Sequence, residues 1–273
     1  MFTQRKSGVK MKLNGKIAVV TGASRGIGKA IATRLASEGA IVAINYREDA
    51  KAKPAEALVS ELNSKGFKAQ AFRADVSKPT ECHTLLDDVA KTFGRVDILV
   101  SNAGIEHFGK LEEITAQDFE RVFSVNVAGQ LFVTQAASRY LPSGGRIVLT
   151  SSVSAQISIF HHTLYAASKA AVSAMVLNLA PELGERGITI NAIAPGGTAT
   201  DMAKENGKLY THPALQNVSP EALLKSKASL QRLAQPEEIA AAVTFLVSDD
   251  ASYVTGSTLA VPGFLTSAEK SLR

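Results

Sequence analysis

The chain has 273 residues, 45% hydrophobic and 20% charged, the balance of a soluble globular protein long enough to bury a core in one domain. One cysteine, Cys82, excludes a disulfide framework and a cysteine-built metal site. No apolar run reaches the ~18–20 residues needed to span a bilayer. The net charge of +5 is held by Arg5, Lys6, Lys10, Lys12 and Lys16, in an opening segment without acids. The rest of the chain is therefore neutral, which excludes a basic surface for nucleic acid. Residues 1–12 read as a flexible basic tail with no apolar leader core, which makes the cytoplasm the expected compartment; a short organelle-targeting segment is the alternative. Met11 also reads as a natural start of translation.

Strand and helix patterns then alternate. Lys16–Thr21 is a short β-branched run ending in a glycine turn, and Arg25–Glu38 is a helix with Ile27, Ile31 and Leu35 on one face. Ile41–Asn45 is the next strand, followed by a helix through Leu58 and Leu62 that ends near Gly66. Further strands are expected at 69–73, 97–100, 146–150, 188–192 and 258–261. Helices are expected at 79–93, 116–140, 164–183 and 236–247. Strands apolar at every position are buried on both faces, so the expected fold is α/β: a Rossmann-like, doubly wound parallel sheet of about seven strands in a single domain over 13–264. A closed eight-stranded barrel is the alternative, but it leaves the opening glycine loop unexplained. Thr200–Leu230 is irregular, with Gly207, Pro213 and Pro220, and reads as a substrate lid. Residues 265–273 read as a tail.

The loop Thr21-Gly22-Ala23-Ser24-Arg25-Gly26-Ile27-Gly28 links the first strand to the first helix. Its glycines permit a tight turn and close approach of a pyrophosphate to free N–H groups at a positive helix end. Strand, loop and helix stand in the order that a dinucleotide requires. At the end of the second strand, an acid would grip ribose hydroxyls. The chain has Asn45-Tyr46-Arg47 instead, and Arg25 with Arg47 would clamp a 2′-phosphate, which favours NADP(H).

Tyr165 and Lys169 stand at i and i+4 of an alanine-rich helix, so they share a face. A nearby ammonium is expected to lower the phenol's ordinary pKa near 10 and allow proton transfer. Ser151-Ser152 ends the fifth strand, Asn102-Ala103-Gly104 ends the fourth, and Asn126 sits inside a helix that gives it no propensity advantage. His107, Phe108, Phe160, His161, Met202 and Tyr210 are the candidates for walling a substrate pocket, with contact expected at His161 more than at His162. Adjacent histidines diverge and lack a third ligand, so no metal site is expected.

On these residues the chain resembles the short-chain dehydrogenase/reductase family. The likeness is carried by TGASRGIG at 21–28, Asp75-Val76, SNAG at 101–104, Asn126, Ser152, YAASK at 165–169 and PGGTATDM at 195–202. It implies that Tyr165 is the acid–base, that Lys169 lowers its pKa and holds the nicotinamide ribose, and that Ser152 bonds the substrate oxygen. Asn126 would hold a water between Lys169 and solvent. Asp75, with Val76 beside it, would bind the adenine amino group, and Asn102, Ala103 and Gly104 would line the adenosine side. Pro195 and Gly196 would lie along the cofactor, and Thr198 and Thr200 would bind the carboxamide. Within the family the chain is similar to fungal hydroxynaphthalene and versicolorin reductases, through 144–152, 161–172 and 188–202. This implies NADPH-dependent reduction of a cyclic or aromatic polyketide-like ketone. A 3-oxoacyl-thioester reductase, an alcohol dehydrogenase and a protein that binds cofactor without chemistry are the alternatives. The family implies a homo-oligomer, in particular a tetramer. Pro262-Gly263-Phe264 departs from the family's usual Asp-Gly-Gly at one subunit contact.

Overall fold

The computed structural model describes residues 11–48, 51–215, 217–219, 222–223, 225 and 228–263. Most of the basic tail, Phe264 and the expected tail at 265–273 lie outside the described residues. The strands β1 (Ile17–Val20), β2 (Ile41–Tyr46), β3 (Lys68–Arg73), β4 (Ile98–Ser101), β5 (Arg146–Thr150), β6 (Thr189–Pro195) and β7 (Thr258–Val261) form one sheet in the order β3-β2-β1-β4-β5-β6-β7. Every neighbouring pair is parallel.

Successive strand residues point to opposite faces, so Ile17 and Val19 of β1 enter one core while Ala18 and Val20 enter the other. The first core is closed by α3 (Pro79–Phe93), α5 (Gly129–Ser138) and α6 (Thr163–Gly184). The second is closed by α1 (Gly26–Ser37), α2 (Ala52–Ser64) and α8 (Pro236–Val247). α4 (Ala116–Phe123) lies in the connection after β4 and α7 (Asp201–Asn206) in the connection after β6. Burial on both faces holds for the inner strands and stops at the edge, where Lys68, Gln70 and Arg73 of β3 are exposed. Cys82 is buried in α3, and burial pushes its thiol up to about 11, so it is inert packing. Among the described residues, no helix is long and apolar enough to cross a membrane.

Two expectations change. The single helix at 116–140 is divided into α4, a π turn over Ser124–Ala128, and α5. Thr115 and Asp118 start α4 with a reciprocal capping box, and the π turn carries Asn126, which is fully buried. The stretch after β6 is also more regular than read: α7 is followed by 3-10 turns at Gly207–Tyr210 and Pro213–Leu215. β6 runs on to Pro195, past its expected end, and delivers this segment to the carboxyl edge of the sheet. Strand order reverses between β1 and β4, and the connections there diverge to leave a crevice.

Candidate active site

A cleft of about 1010 Å³ opens at that crevice. Its floor is the glycine loop. Gly22 has a φ of +62°, and a Cβ on it would stand 2.9 Å from the Ala103 Cα, so only glycine fits. A Cβ on Gly28 would meet the Gly22 carbonyl oxygen at 2.4 Å, which is why α1 starts so close beneath the loop. Arg25, the N-cap of α1, is extended and gives no side-chain cap, and no acid occupies the first turn. The first N–H groups of α1 are therefore unsatisfied by side chains, and Ser24, Arg25, Gly26, Ile27 and Gly28 line the cleft. This donor set fits a pyrophosphate.

At the outer end of the cleft stand Tyr46, Arg47, Asp75 and Val76, joined by Lys51, which carries no motif and which sequence reasoning missed. Arg25 pairs with Glu205 at 3.4 Å and Arg47 with Glu48 at 3.2 Å; both arginines are about half exposed. They are free to exchange these weak surface partners for a phosphate. Asn45 lines the cleft but works on the fold: its Nδ2 donates to the Ala74 carbonyl at 3.1 Å, and its Oδ1 accepts from Gly22 N–H at 3.3 Å. Asn102 does the same on the other side, donating to the carbonyl of Thr21 at 3.1 Å. Asp75 Oδ1 accepts from the Ser77 hydroxyl and N–H, at 2.7 and 3.0 Å.

The inner end gathers Ser152, Tyr165 and Lys169 on one wall. Lys169 Nζ donates to the Thr150 carbonyl at 2.8 Å. Gln130, fully buried, donates to the carbonyls of Thr150 and Asn126, both at 3.0 Å, which ties the end of β5 to the π turn. The Asn126 side chain donates to the Ile105 carbonyl at 2.9 Å and to Ser168 Oγ at 3.0 Å, and accepts from Ile105 N–H at 2.9 Å. Asn126 thus clamps the loop after β4 to α6, while its own carbonyl retains one lone pair beside Gln130. Ala103, Gly104, Pro195, Gly196, Thr198 and Thr200 line the same cleft. Thr198 bonds the Gly196 carbonyl at 3.0 Å, and Thr200 caps α7.

Lys169 is expected to bring the Tyr165 phenol down, but the net direction in this structure is upward. Burial pushes the phenol above its ordinary value although the residue still reaches the cleft, the Glu106 carboxylate adds to the push, and a hydrogen bond with Ser152 opposes it. The Lys169 ammonium lies 5.5 Å from the ring centroid, and burial brings it down to about 8 against the pull of Glu106. Tyr165 is therefore a protonated donor at neutral pH.

Of the candidate pocket residues, Met202 and Tyr210 line the cleft; His107, Phe108, Phe160 and His161 do not. His161 adopts a φ of +59°, and this turn leaves its neighbour His162 buried, stacked on Tyr165 at 4.5 Å and on Phe108 at 4.3 Å. Phe160 is 41% exposed. Glu106, unremarked in the sequence, also lines the cleft; burial pushes its carboxyl up to about 7, with Asn206 and Lys169 pulling it down.

A phenol and an ammonium held beside a dinucleotide-shaped crevice are equipment for moving a proton together with a hydride, and the protein is an oxidoreductase. It belongs to the short-chain dehydrogenase/reductase family. The family described as enoyl-(acyl carrier protein) reductase matches residues 22–265. A short-chain dehydrogenase/reductase of Pestalotiopsis microspora is 42% identical over 93% of this chain and 97% of its own. A hydroxynaphthalene reductase-like protein of Metarhizium majus is 44% identical over 92% of this chain and 95% of its own. Among solved structures, a short-chain dehydrogenase of Burkholderia cenocepacia in complex with NADP superposes with a TM-score of 0.83 and 40% identity, covering 92% of this chain and 98% of that one.

Proposed function

We propose that the protein is an NADPH-dependent ketoreductase acting on a cyclic or aromatic polyketide-like ketone. The observation that carries this is the single cleft that joins the uncapped start of α1, flanked by Arg25 and Arg47, to Ser152, Tyr165 and Lys169. The similarity to a hydroxynaphthalene reductase-like protein supports the substrate class.

The backbone of Gly22, Ser24 and Gly26–Gly28 would hold the pyrophosphate, and Arg25 and Arg47, with Lys51 at hand, the 2′-phosphate. Asp75 and Val76 would flank the adenine. Asn102 and Gly104 would line the adenosine side, Lys169 would hold the nicotinamide ribose, and Thr198 and Thr200 the carboxamide. When bound, NADPH supplies a hydride for the carbonyl carbon. Ser152 and Tyr165 donate hydrogen bonds to the carbonyl oxygen, whose growing negative charge these preorganised donors stabilise. Tyr165 then gives its proton to that oxygen. The Lys169 ammonium, 5.5 Å from the ring centroid of Tyr165, would resupply the proton, and the Asn126 carbonyl would hold the water that connects Lys169 to solvent.

Purified protein incubated with NADPH or NADH and a panel of aromatic, cyclic and acyl-thioester ketones tests the reading. NADPH consumption with an aromatic or cyclic ketone is the expected result. Consumption with thioesters alone would reassign the substrate to acyl chains, and tight NADPH binding with no ketone reduced would leave a binding protein.

The chain would work as a homo-oligomer, a tetramer in the first instance and a dimer if the altered Pro262-Gly263 turn weakens the second contact. α6 supports this: Val172 and Val176 are buried, yet Ala167, Ala170, Ala174 and Leu177 on the same helix are exposed. A helix apolar on two sides wants a second cover. Sedimentation showing a fully active monomer of 28.8 kDa would overturn it.

A further inference from the structure

The proposed hydride and proton transfer makes no use of Glu106, although its side chain shares the cleft with Tyr165 and Lys169. Its oxygens are both engaged. Oε2 accepts from Asn206 Nδ2 at 2.8 Å, and Oε1 accepts from the hydroxyl of Tyr210. Asn206 is the last residue of α7 and Tyr210 the last of the 3-10 turn that follows. One carboxylate on the loop after β4 therefore holds two successive turns of the segment after β6. Two other side-chain ties of this segment, among the described residues, are weaker. The Arg25–Glu205 pair is long and exposed, and His212 meets Phe160 only through ring contact at 4.5 Å.

Tyr210 is fixed from its other side by rings. It stands edge-on to Phe108 at 5.0 Å and to His162 at 5.7 Å, and His162 stacks on Tyr165 at 4.5 Å. Glu106 and these rings together place the phenol of Tyr210 relative to the phenol of Tyr165. Met202 and Lys204 line the cleft from the same short segment and would move with it.

We propose that Glu106 is a positioning residue, which by holding Asn206 and Tyr210 sets the ketone-side wall of the cleft against Tyr165. The inference rests on the ketoreductase reading for the meaning of that wall, and on geometry alone for the tie. The chemistry of the tie also ranks substitutions. A carboxylate presents an acceptor on each oxygen. A glutamine accepts at one position and, because a tyrosine hydroxyl can also accept, donates at the other. An alanine offers neither.

Hydrogen exchange of the backbone amides at 201–210, read without cofactor, tests the tie. Glu106→Ala should speed exchange there by about tenfold or more while β5 and α6 stay unchanged, and Glu106→Gln should restore protection. With NADPH and a reduced ketone, Glu106→Ala should raise the ketone KM by about tenfold, with a smaller loss in kcat and no change in NADPH binding, and Glu106→Gln should stay within about threefold of the parent. Unchanged exchange in Glu106→Ala overturns the proposal, as does equal KM damage from alanine and glutamine. If no ketone is reduced, the function reading fails and the exchange result still decides the tie. If ketones are reduced and exchange is unchanged, the tie fails alone.

Discussion

His162 lies flat against the ring of Tyr165, with centroids 4.5 Å apart and planes 16° from parallel. The imidazole is 1% exposed, and neither ring nitrogen has a hydrogen-bond partner among the described residues. Burial, with a smaller push from His107, brings it down to about 4. His162 is thus a neutral plate that keeps the Tyr165 ring from tilting, and Phe108 stacks on the same imidazole.

A pH dependence follows. The folded value lies below the ordinary 6.5, so between about 6.5 and 4 the unfolded chain binds more protons and stability falls as pH falls. The loss is of the order of 2–3 kcal/mol across that window. His162→Phe keeps the plate and removes the proton. Urea unfolding of this variant should lose much of the acid-side slope seen in the parent; an identical slope would show that His162 is not its source.

Glu106 works in the opposite direction. Its folded value is raised to about 7, so its contribution is fully present below the ordinary carboxylate value and is lost as pH rises through about 7. The Lys169 ammonium acts on it and it acts on the Tyr165 phenol, both on α6; Tyr210 bonds it, His107 follows it in the chain, and Lys204 and Lys208 line the same cleft. Glu106→Gln should be more stable than the parent above pH about 8 by roughly 1–3 kcal/mol, with the gap closing below pH about 5. Thermal unfolding at several pH values reads this. A gap independent of pH would mean that the carboxyl is not buried as a charge.

Removing the Tyr165 hydroxyl tests the chemistry. General acid catalysis contributes about 10²–10⁴-fold, so Tyr165→Phe should lose turnover on that scale. NADPH binding, followed by fluorescence, should hold, because the residues proposed to hold the pyrophosphate and 2′-phosphate line the other end of the cleft. Near-normal turnover would remove Tyr165 from the mechanism.

The parts of this architecture that sequence reveals are those whose cause is local. Ile17-Ala18-Val19-Val20 is apolar at every position because β1 is covered on both faces, and the glycine turn after it is forced by the contact of Gly22 with Ala103. The π turn is different. Ser124–Ala128 has the composition of ordinary helix, and its distinctive bonds run from Gln130 to Thr150 and from Asn126 to Ile105 and Ser168, all distant in the chain. Glu106 is silent for the same reason, with its partners 100 and 104 residues further on. His161 and His162 are chemically alike, and only the positive φ at His161 decides which of them meets Tyr165. Lys51 reaches the cleft from the residue before α2, where a lysine looks like any solvated charge.

In the proposed reading, cofactor choice is set at the outer end of the cleft, away from Tyr165. Arg25 and Arg47 now rest on Glu205 and Glu48 at 3.4 and 3.2 Å, in partly exposed pairs of little strength. A 2′-phosphate offers each guanidinium charge-assisted bonds worth about 1.5–3 kcal/mol. Replacing both with alanine should weaken NADPH binding by roughly tens-fold to thousands-fold, the span of two such bonds, while NADH binding changes little. Lys51 lines the same end, so Lys51→Ala added to the pair should widen the NADPH loss further and leave NADH where it was. Titration of each variant with both cofactors gives the comparison. Equal losses for the two cofactors would assign the arginines to supporting the glycine loop, since a group that reads the phosphate has nothing to read in NADH.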